Sequence, residues 1–556
     1  MKLFKKATLE RETAPASSDA GQNGGLPVFL MAICFFWLLF SLPGLLHGWN
    51  WRTFRLPLEV VVIVAGYALL PRSTSRYLRW PLALLIFSAA LVLFLDQALR
   101  VFFGRPLNLM FDINLLQPGL ELLWGATGPL LSGLLLLALA TALLLVLYVC
   151  SRALSILEPV RAPRMAICVL ALVLVAGHLP ATQRHQLPIT AELTHSLTGQ
   201  VQRVAAVIRE RPQFKAALAR ERYDDGIPEN ALGALSDTNV ILIFVESYGR
   251  QALENTGYAE TTAAALKDLQ HATDAKEIKS VSGWAQAPTI GGQSWLSHAS
   301  FLSGLWVDNQ IKYQLLSESE RLTLAKAFSD SGHESALVMP AITRAWPEAG
   351  FMGFDRYIFA RDMGYAGKPY NWVTMPDQYT LSHFDQAVRK GAQPFFAMLA
   401  LISSHAPWTP IAPVLDDWTN IGDGTIFSRW ADQGESPASL WQDPGRVREH
   451  YAQSIDYVLR TLASYIRNVS IEKDPFLMVV LGDHEAGAIA SGPDAASEVP
   501  VHILSNREEL LEPFDHHGFT QGMHPKKSAA IMQMHDFRDF FIENYQGKKT
   551  QTVSTK

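Results

Sequence analysis

The sequence predicts a bundle of membrane-spanning helices followed by an α/β/α sandwich built on a largely parallel sheet. Three observations carry this expectation. Long apolar segments crowd the first 180 residues, short apolar runs alternate with helical patterns after about residue 237, and three of those runs end directly on acidic or imidazole side chains. At 556 residues the chain is too long for one compact domain.

Charge divides along the same line. Up to residue 180 there are 14 Lys and Arg against 8 Asp and Glu; the remainder holds 33 against 44, so the overall −5 hides a basic anchor and an acidic soluble part. An acidic soluble part lacks the basic footprint of nucleic-acid binding, and no nucleic-acid partner is expected. The 3 cysteines, Cys34, Cys150 and Cys168, all fall in apolar segments. The soluble part therefore has no disulfide framework, no cysteine metal site and no cysteine nucleophile.

A span needs about 20 mostly apolar residues. Segments 27–47, 80–98 and 125–150 meet this, and 56–71 and 165–180 are shorter but apolar enough to join a bundle. Orientation follows from basic residues in short loops. Lys2, Lys5, Lys6 and Arg11 precede the first span, Arg72, Arg76 and Arg79 follow the second, and Arg152, Arg161 and Arg164 follow the fourth. The other side has only Arg52, Arg55, Arg100 and Arg105. Five spans with the N-terminus inside place the chain after about residue 181 outside the cytoplasm. The expected organisation is a cytoplasmic tail (1–25), a five-helix membrane domain (26–180), connecting helices and linker (181–236), an extracytoplasmic domain (237–545) and a C-terminal tail (546–556). Loop 99–122 mixes apolar and charged residues, which suits the membrane interface, either as a lipid-holding element or as a plain connection.

In the soluble part the strand candidates are 239–247, 334–340, 394–404, 475–483 and 499–505. Open α/β sheets place their ligands at the carboxyl ends of strands. Glu246 follows the first candidate, His405 the third, and Asp483 with His484 the fourth. Carboxylate oxygens and a neutral imidazole suit one divalent ion, Mn2+ or Zn2+, and a catalytic site leaves one position open. A hydroxyl at that position would have its pKa lowered and become a nucleophile.

The segment APTIGGQSWLSHASFLSGL (287–305) offers hydroxyls for this role. Gly291 and Gly292 permit close backbone approach, and Ser294 opens an apolar-periodic helix whose free N–H groups can hold a phosphoryl oxygen. Ser294 reads equally as a nucleophile or as a helix cap. Thr289, Ser297 and Ser300 compete with it. His298, one turn on, reads as a packed helix-face histidine.

The order FVESYG, a Gly-rich turn with a hydroxyl opening a helix, SSHAPW and then GDHE resembles the alkaline-phosphatase/sulfatase superfamily. The nearest branch by resemblance is the membrane-bound lipoteichoic-acid-synthase and phosphoglycerol-transferase enzymes, which also carry a five-span anchor. The resemblance implies an alkaline-phosphatase-like fold with Glu246, Ser294, Asp483 and His484 at the metal. It implies Ser294 as nucleophile, and His405 on the substrate side. It further implies a membrane phospholipid donor, a glycan or polymer acceptor, and a bacterial inner-membrane protein with a periplasmic catalytic domain.

Three departures matter. SWLSH lacks the proline and arginine of the formylglycine motif, which argues against sulfate-ester hydrolysis. The outer domain lacks the cysteines of phosphoethanolamine transferases. Where the synthases carry Trp-x-Arg, this chain keeps Trp346 but has Glu348, leaving Arg344 as a candidate substitute. His524, in a run with His516, His517, Lys526 and Lys527, reads as an active-site-mouth residue or as part of a solvated loop. Water as the acceptor, phosphoethanolamine transfer and a non-catalytic accessory role are the alternatives.

Overall fold

The computed structural model describes residues 25–47, 54–157 and 189–547, apart from 104, 114–115, 224–226, 229, 392–393, 470 and 493–494. They fall into two compact units, one drawn from Met1–Ala98 and Leu116–Val201, the other from Leu99–Leu115 and Gln202–Lys556.

The first unit is helical: α1 (Gly25–Ser41), α2 (Leu58–Leu69), most of α3 (Arg72–Phe103) and α4 (Leu116–Leu157), with the start of α5 (Glu192–Leu218). Phe36, Val60, Leu93, Cys150 and Leu154 form its core. Among the described residues, two stretches, Ser73–Val101 and Thr127–Leu157, are long and apolar enough to cross a membrane; Leu30–Leu46 and Leu58–Tyr67 are apolar but shorter. The span expected at 165–180 lies outside the described residues. Helix α4 is interrupted at Gly128, whose φ of 75° suits glycine, followed by Pro129. Glu59 accepts from the backbone N–H and hydroxyl of Thr194 (2.9 and 2.8 Å), a structural use for an acid near an apolar segment.

The second unit is built on a 9-stranded sheet. In chain order the elements are β1 (Asn239–Val245), α6 (Ala259–Asp274), β2 (Lys279–Gln286), α7 (Ser294–Ser303), α8 (Leu324–Asp330), β3 (Glu334–Met339) and β4 (Arg356–Phe359). There follow α9 (Asp377–Phe384), β5 (Phe395–Leu401), α10 (Pro444–Asn468), β6 (Phe476–Gly482), β7 (Glu498–Ser505), β8 (Thr520–Gln521), β9 (Ile531–Gln533) and α11 (Phe537–Asn544). The strand order is β8-β2-β7-β6-β1-β5-β3-β4, with β9 also paired to β2. Helix α10 packs on α6 and α9, and α7 packs on α8 and α11. Every residue of β1, β5 and β6 is buried, which is why these segments read as unbroken apolar runs.

All five expected strands form, but the sheet is mixed. Strands β6, β1, β5, β3 and β4 are parallel, whereas β7 runs antiparallel to both β6 and β2, and β8 antiparallel to β2. The link from β6 to β7 carries the Asp483–His484 loop and one 4-residue helix, Ala488–Ser491. Without a full crossover helix the chain returns beside β6 in the opposite direction.

Register levels the strand ends. Val245 stands opposite both Leu401 and Gly482, so the residues leaving β1, β5 and β6 emerge side by side.

A buried histidine in β7 supplies a pH test of the fold. Tyr248 donates its O–H to His502 Nε2 (3.1 Å), and the Ser282 hydroxyl donates to the Gly522 carbonyl (2.7 Å). That leaves His502 Nδ1–H to donate to Ser282 Oγ (2.9 Å) and keeps the ring neutral. Burial, with His524 adding to it, pushes the His502 pKa from 6.5 down to about 3. Between those values the unfolded chain binds a proton that the native chain does not, so stability falls as pH falls, by about 1.4 kcal/mol per unit. Thermal unfolding of detergent-solubilised protein between pH 7 and pH 4 should show a shallower decline in His502→Gln than in the parent.

Candidate metal centre

Glu246 leaves β1, and Asp483 and His484 leave β6. A group of possible ligand atoms, one from each of these three residues, lies within 4.8 Å of one another. His484 Nε2 stands 3.2 Å from Glu246 Oε1 and 3.7 Å from Asp483 Oδ1. Backbone geometry holds each group. Asp483 Oδ1 accepts from the backbone N–H groups of Ser247 (2.8 Å) and His484 (2.7 Å), and the Ser247 hydroxyl donates to Glu246 (3.2 Å). Ser247 itself has φ 57°, the tight turn that brings the two strand ends together.

Gly482 explains its own identity. A Cβ there would overlap the Tyr248 carbonyl, because the turn after β1 lies directly against the end of β6. Gly482→Ala must displace the turn after β1, which follows Glu246 directly, from the end of β6. The expected cost is about 1–3 kcal/mol or more of stability, together with weakened metal binding, read by thermal unfolding and by metal titration.

Burial disfavours the charge on Glu246, but His484, with His405 behind it, outweighs this and holds the carboxyl well below the usual range. Burial and the Glu246 charge together push Asp483 up. Burial acts against a charged His484, yet Asp483 and Glu246 prevail and raise its pKa to about 10. Two carboxylates and an imidazole packed this tightly require positive charge among them.

The residues fit a divalent ion. His484 Nδ1–H donates to the Glu485 carbonyl (2.9 Å), which turns Nε2 into the cluster, where it is buried and makes no hydrogen bond. An N,O,O donor set of this kind matches Mn2+ or Zn2+.

Ser294 is the first residue of α7. The turn before it has three successive positive φ values: Gly291 at 71°, Gly292 at 134° and Gln293 at 66°. The non-glycine residue there costs roughly 1–3 kcal/mol of backbone strain. The turn is tied to the β6 loop, since Gly291 N–H donates to the Glu485 carbonyl (2.8 Å) and Ile290 bridges Glu485. The carbonyl of Glu485 thus anchors both the His484 ring and the Ser294 turn. Gln293, not Ser294, occupies the cap position, and its side chain makes no capping bond. Of the competing hydroxyls, Thr289 donates to the Gly292 carbonyl (2.8 Å), and Ser297 and Ser300 are buried within α7.

His405 follows β5 on a loop held by Asp377, whose carboxylate accepts from the N–H groups of Ile402 (2.7 Å) and Ser403 (3.1 Å). The Ser404 hydroxyl donates to the Glu246 backbone carbonyl (2.5 Å), which brings the loop to the cluster. His298 is buried against Phe244, ring centroids 4.5 Å apart, and burial pushes its pKa down to about 3. Arg344 is exposed on the loop after β3, and Trp346 is half-buried against the core. His524 is exposed beyond β8, where its charge acts on His502, and it joins no cluster of metal-ligating groups among the described residues.

Two residues that shape the site carried no sequence signal of their own. Asp377 reads only as a helix-start acid after Pro376, and Glu485 as the last letter of GDHE. Both are buried carboxylates, and burial pushes the pKa of each to about 7.

This fold and site define an enzyme of the alkaline phosphatase superfamily. Residues 238–518 match the sulfatase family, and the chain belongs to that family. No curated protein matches the chain. Among solved structures, the chain is similar to the lipoteichoic acid synthase LtaP from Listeria monocytogenes (14% identity, 50% of this chain and 68% of that one, TM-score 0.35). It is also similar to the Streptococcus pyogenes phosphoglycerol transferase GacH (14%, 62% and 81%, 0.36). A third is the integral membrane lipooligosaccharide phosphoethanolamine transferase A from Neisseria meningitidis (14%, 93% and 95%, 0.45).

Proposed function

We propose that the protein transfers a phosphoryl head group, of the phosphoglycerol type, from a membrane phospholipid to an envelope glycan or polymer through a covalent phosphoserine at Ser294. The observation that carries this reading is the shared anchor: one carbonyl, that of Glu485, fixes both the His484 ring and the turn bearing Ser294. Glu246, Asp483 and His484 would hold one Mn2+ or Zn2+, with Ser294 at the open position. When bound, such an ion lowers the pKa of a nearby hydroxyl and stabilises charge on phosphoryl oxygens.

Ser294 Oγ attacks the head-group phosphorus, the bond from phosphorus to the diacylglycerol oxygen breaks, and the proton released by Ser294 ends on that leaving oxygen, with His405 on the leaving-group side. The N–H groups of Ser294 and Trp295, at the start of α7, hold a phosphoryl oxygen. An acceptor hydroxyl then attacks the phosphoserine and returns Ser294 to its starting state. Arg344 and Trp346, at the end of β3, and His524 are the further candidates for substrate contact.

A membrane anchor gives this reaction a physical rationale, because it keeps the site beside the leaflet that supplies the donor. The two long apolar helices support a membrane protein and the bias of basic residues supports an inside N-terminus; five spans with the catalytic unit in the periplasm of an inner-membrane protein belong to the proposal.

Incubation of the solubilised protein with head-group-labelled phospholipid, with and without candidate glycans, tests the proposal. Label appearing on the glycan and on Ser294 is the expected result. Free head-group phosphate released at the same rate whatever glycan is present would replace transferase with hydrolase, and no turnover with bound metal would leave an accessory role.

A further inference from the structure

Beside the Ser294 turn lies a cavity of about 410 Å³, within the ~300–1,000 Å³ range of small-molecule sites. It belongs wholly to the second unit, and Glu246, Ser294, Asp483 and His484 are not among its walls. Ile290 and Gln293, which flank the glycine turn, form one side of it. Trp306, Asp308 and Gln310 also line it, as do Arg105 and Arg203.

The lining combines hydrogen-bond donors and acceptors with the Trp306 ring. Arg105 is held by two bonds to Asp112 (3.2 and 2.7 Å), which fixes its guanidinium plane. The Gln310 carbonyl oxygen accepts from the Trp295 indole N–H (3.1 Å), leaving its amide –NH2 as a donor. Asp308 receives Lys312 (2.9 Å) and the Asn309 amide (2.7 Å) on Oδ1, leaving Oδ2 as an acceptor. His535 meets Trp306 edge-on at 5.5 Å and fixes the indole. Vicinal hydroxyls beside a C–H face are the chemistry that such a set recognises. Arg203 in the wall makes phosphate the competitor to exclude, but Arg105 is already matched by Asp112, and Asp308, paired with Lys312, offers an oxygen that accepts from a sugar hydroxyl and not from a phosphate oxygen.

We propose that this cavity is the acceptor subsite and holds a one- or two-ring sugar whose hydroxyl receives the group carried by Ser294. The assignment of the sugar as acceptor rests on the transfer reading above. In that step the sugar oxygen bonds to phosphorus, the bond from phosphorus to Ser294 Oγ breaks, and the hydroxyl proton ends on Oγ.

Binding is read apart from chemistry by using the full-length Ser294→Ala chain in detergent micelles. The probes are methyl glucoside, methyl N-acetylglucosaminide and inorganic phosphate, followed by saturation-transfer NMR. The expected result is saturable binding of a glycoside that phosphate does not displace. Trp306→Ala and Asp308→Asn, in the same background, should each weaken it by ~tenfold or more. Asp308→Asn is isosteric and carries the test if Trp306→Ala fails to fold. The proposal is overturned if no glycoside saturates, if phosphate displaces it, or if both variants bind like the parent. Glycoside binding that the variants lose, in a protein whose wild-type form transfers nothing to sugars, keeps the sugar site and removes the transfer reading.

Discussion

Ser294→Ala is expected to lower turnover of a labelled phospholipid by at least about 10⁴-fold, since removing a nucleophile alone forfeits most of a covalent mechanism. Ser294 begins α7 at the end of a strained turn, is half-buried, and has no capping duty that would explain its place. Thr289→Ala should cost far less, because the Thr289 hydroxyl is committed to the Gly292 carbonyl. Mass spectrometry of protein quenched during turnover should find phosphate on the peptide containing Ser294. The reverse ranking of the two variants, with phosphate on Thr289, would move the nucleophile and require the turn to rearrange.

His484→Ala should remove stoichiometric Mn2+ or Zn2+ and lower turnover by roughly 10³-fold, the equivalent of several kcal/mol of lost charge stabilisation. The size of the effect follows from burial. Asp483 and His484 are 2% and 1% exposed, so no solvent can replace the missing imidazole, and two acidic groups are left facing one another. Metal content measured after dialysis, alongside turnover, checks both parts. An unchanged metal-to-protein ratio in this variant would mean that the ion is held elsewhere, and the site would lose its centre. A chelator should reproduce the activity loss in the parent, and added Mn2+ or Zn2+ should reverse it.

Much of the site was legible because strand ends are legible. NVILIFV, PFFAMLAL and PFLMVVLG are apolar on both faces, so each reads as a buried strand, and the polar residue that follows each marks where the chain reaches the sheet edge. Glu246, Asp483 and His484, which the structure brings within 4.8 Å of one another, and His405 after β5 were all placed at strand ends in this way. Other elements were hidden because their local pattern points nowhere. Strand β2, KSVSGWAQ, is polar in composition, yet it becomes buried once β7, β8 and β9 surround it. Short β4, β8 and β9 carry no periodicity long enough to read.

From the sequence alone came an apolar, basic first part, an acidic α/β second part, five strands and the acids and imidazoles at their ends. These follow from composition and periodicity, which act over a few neighbouring residues. Tertiary structure decided the reversal of β7, the joining of Leu99–Leu115 to the catalytic unit and the role of Asp377. It also decided the carbonyl of Glu485 that ties the Asp483–His484 loop to the Ser294 turn. Each of these depends on contacts between residues far apart in the chain. Their free energy comes from register, burial and backbone hydrogen bonds that exist only after the sheet has assembled.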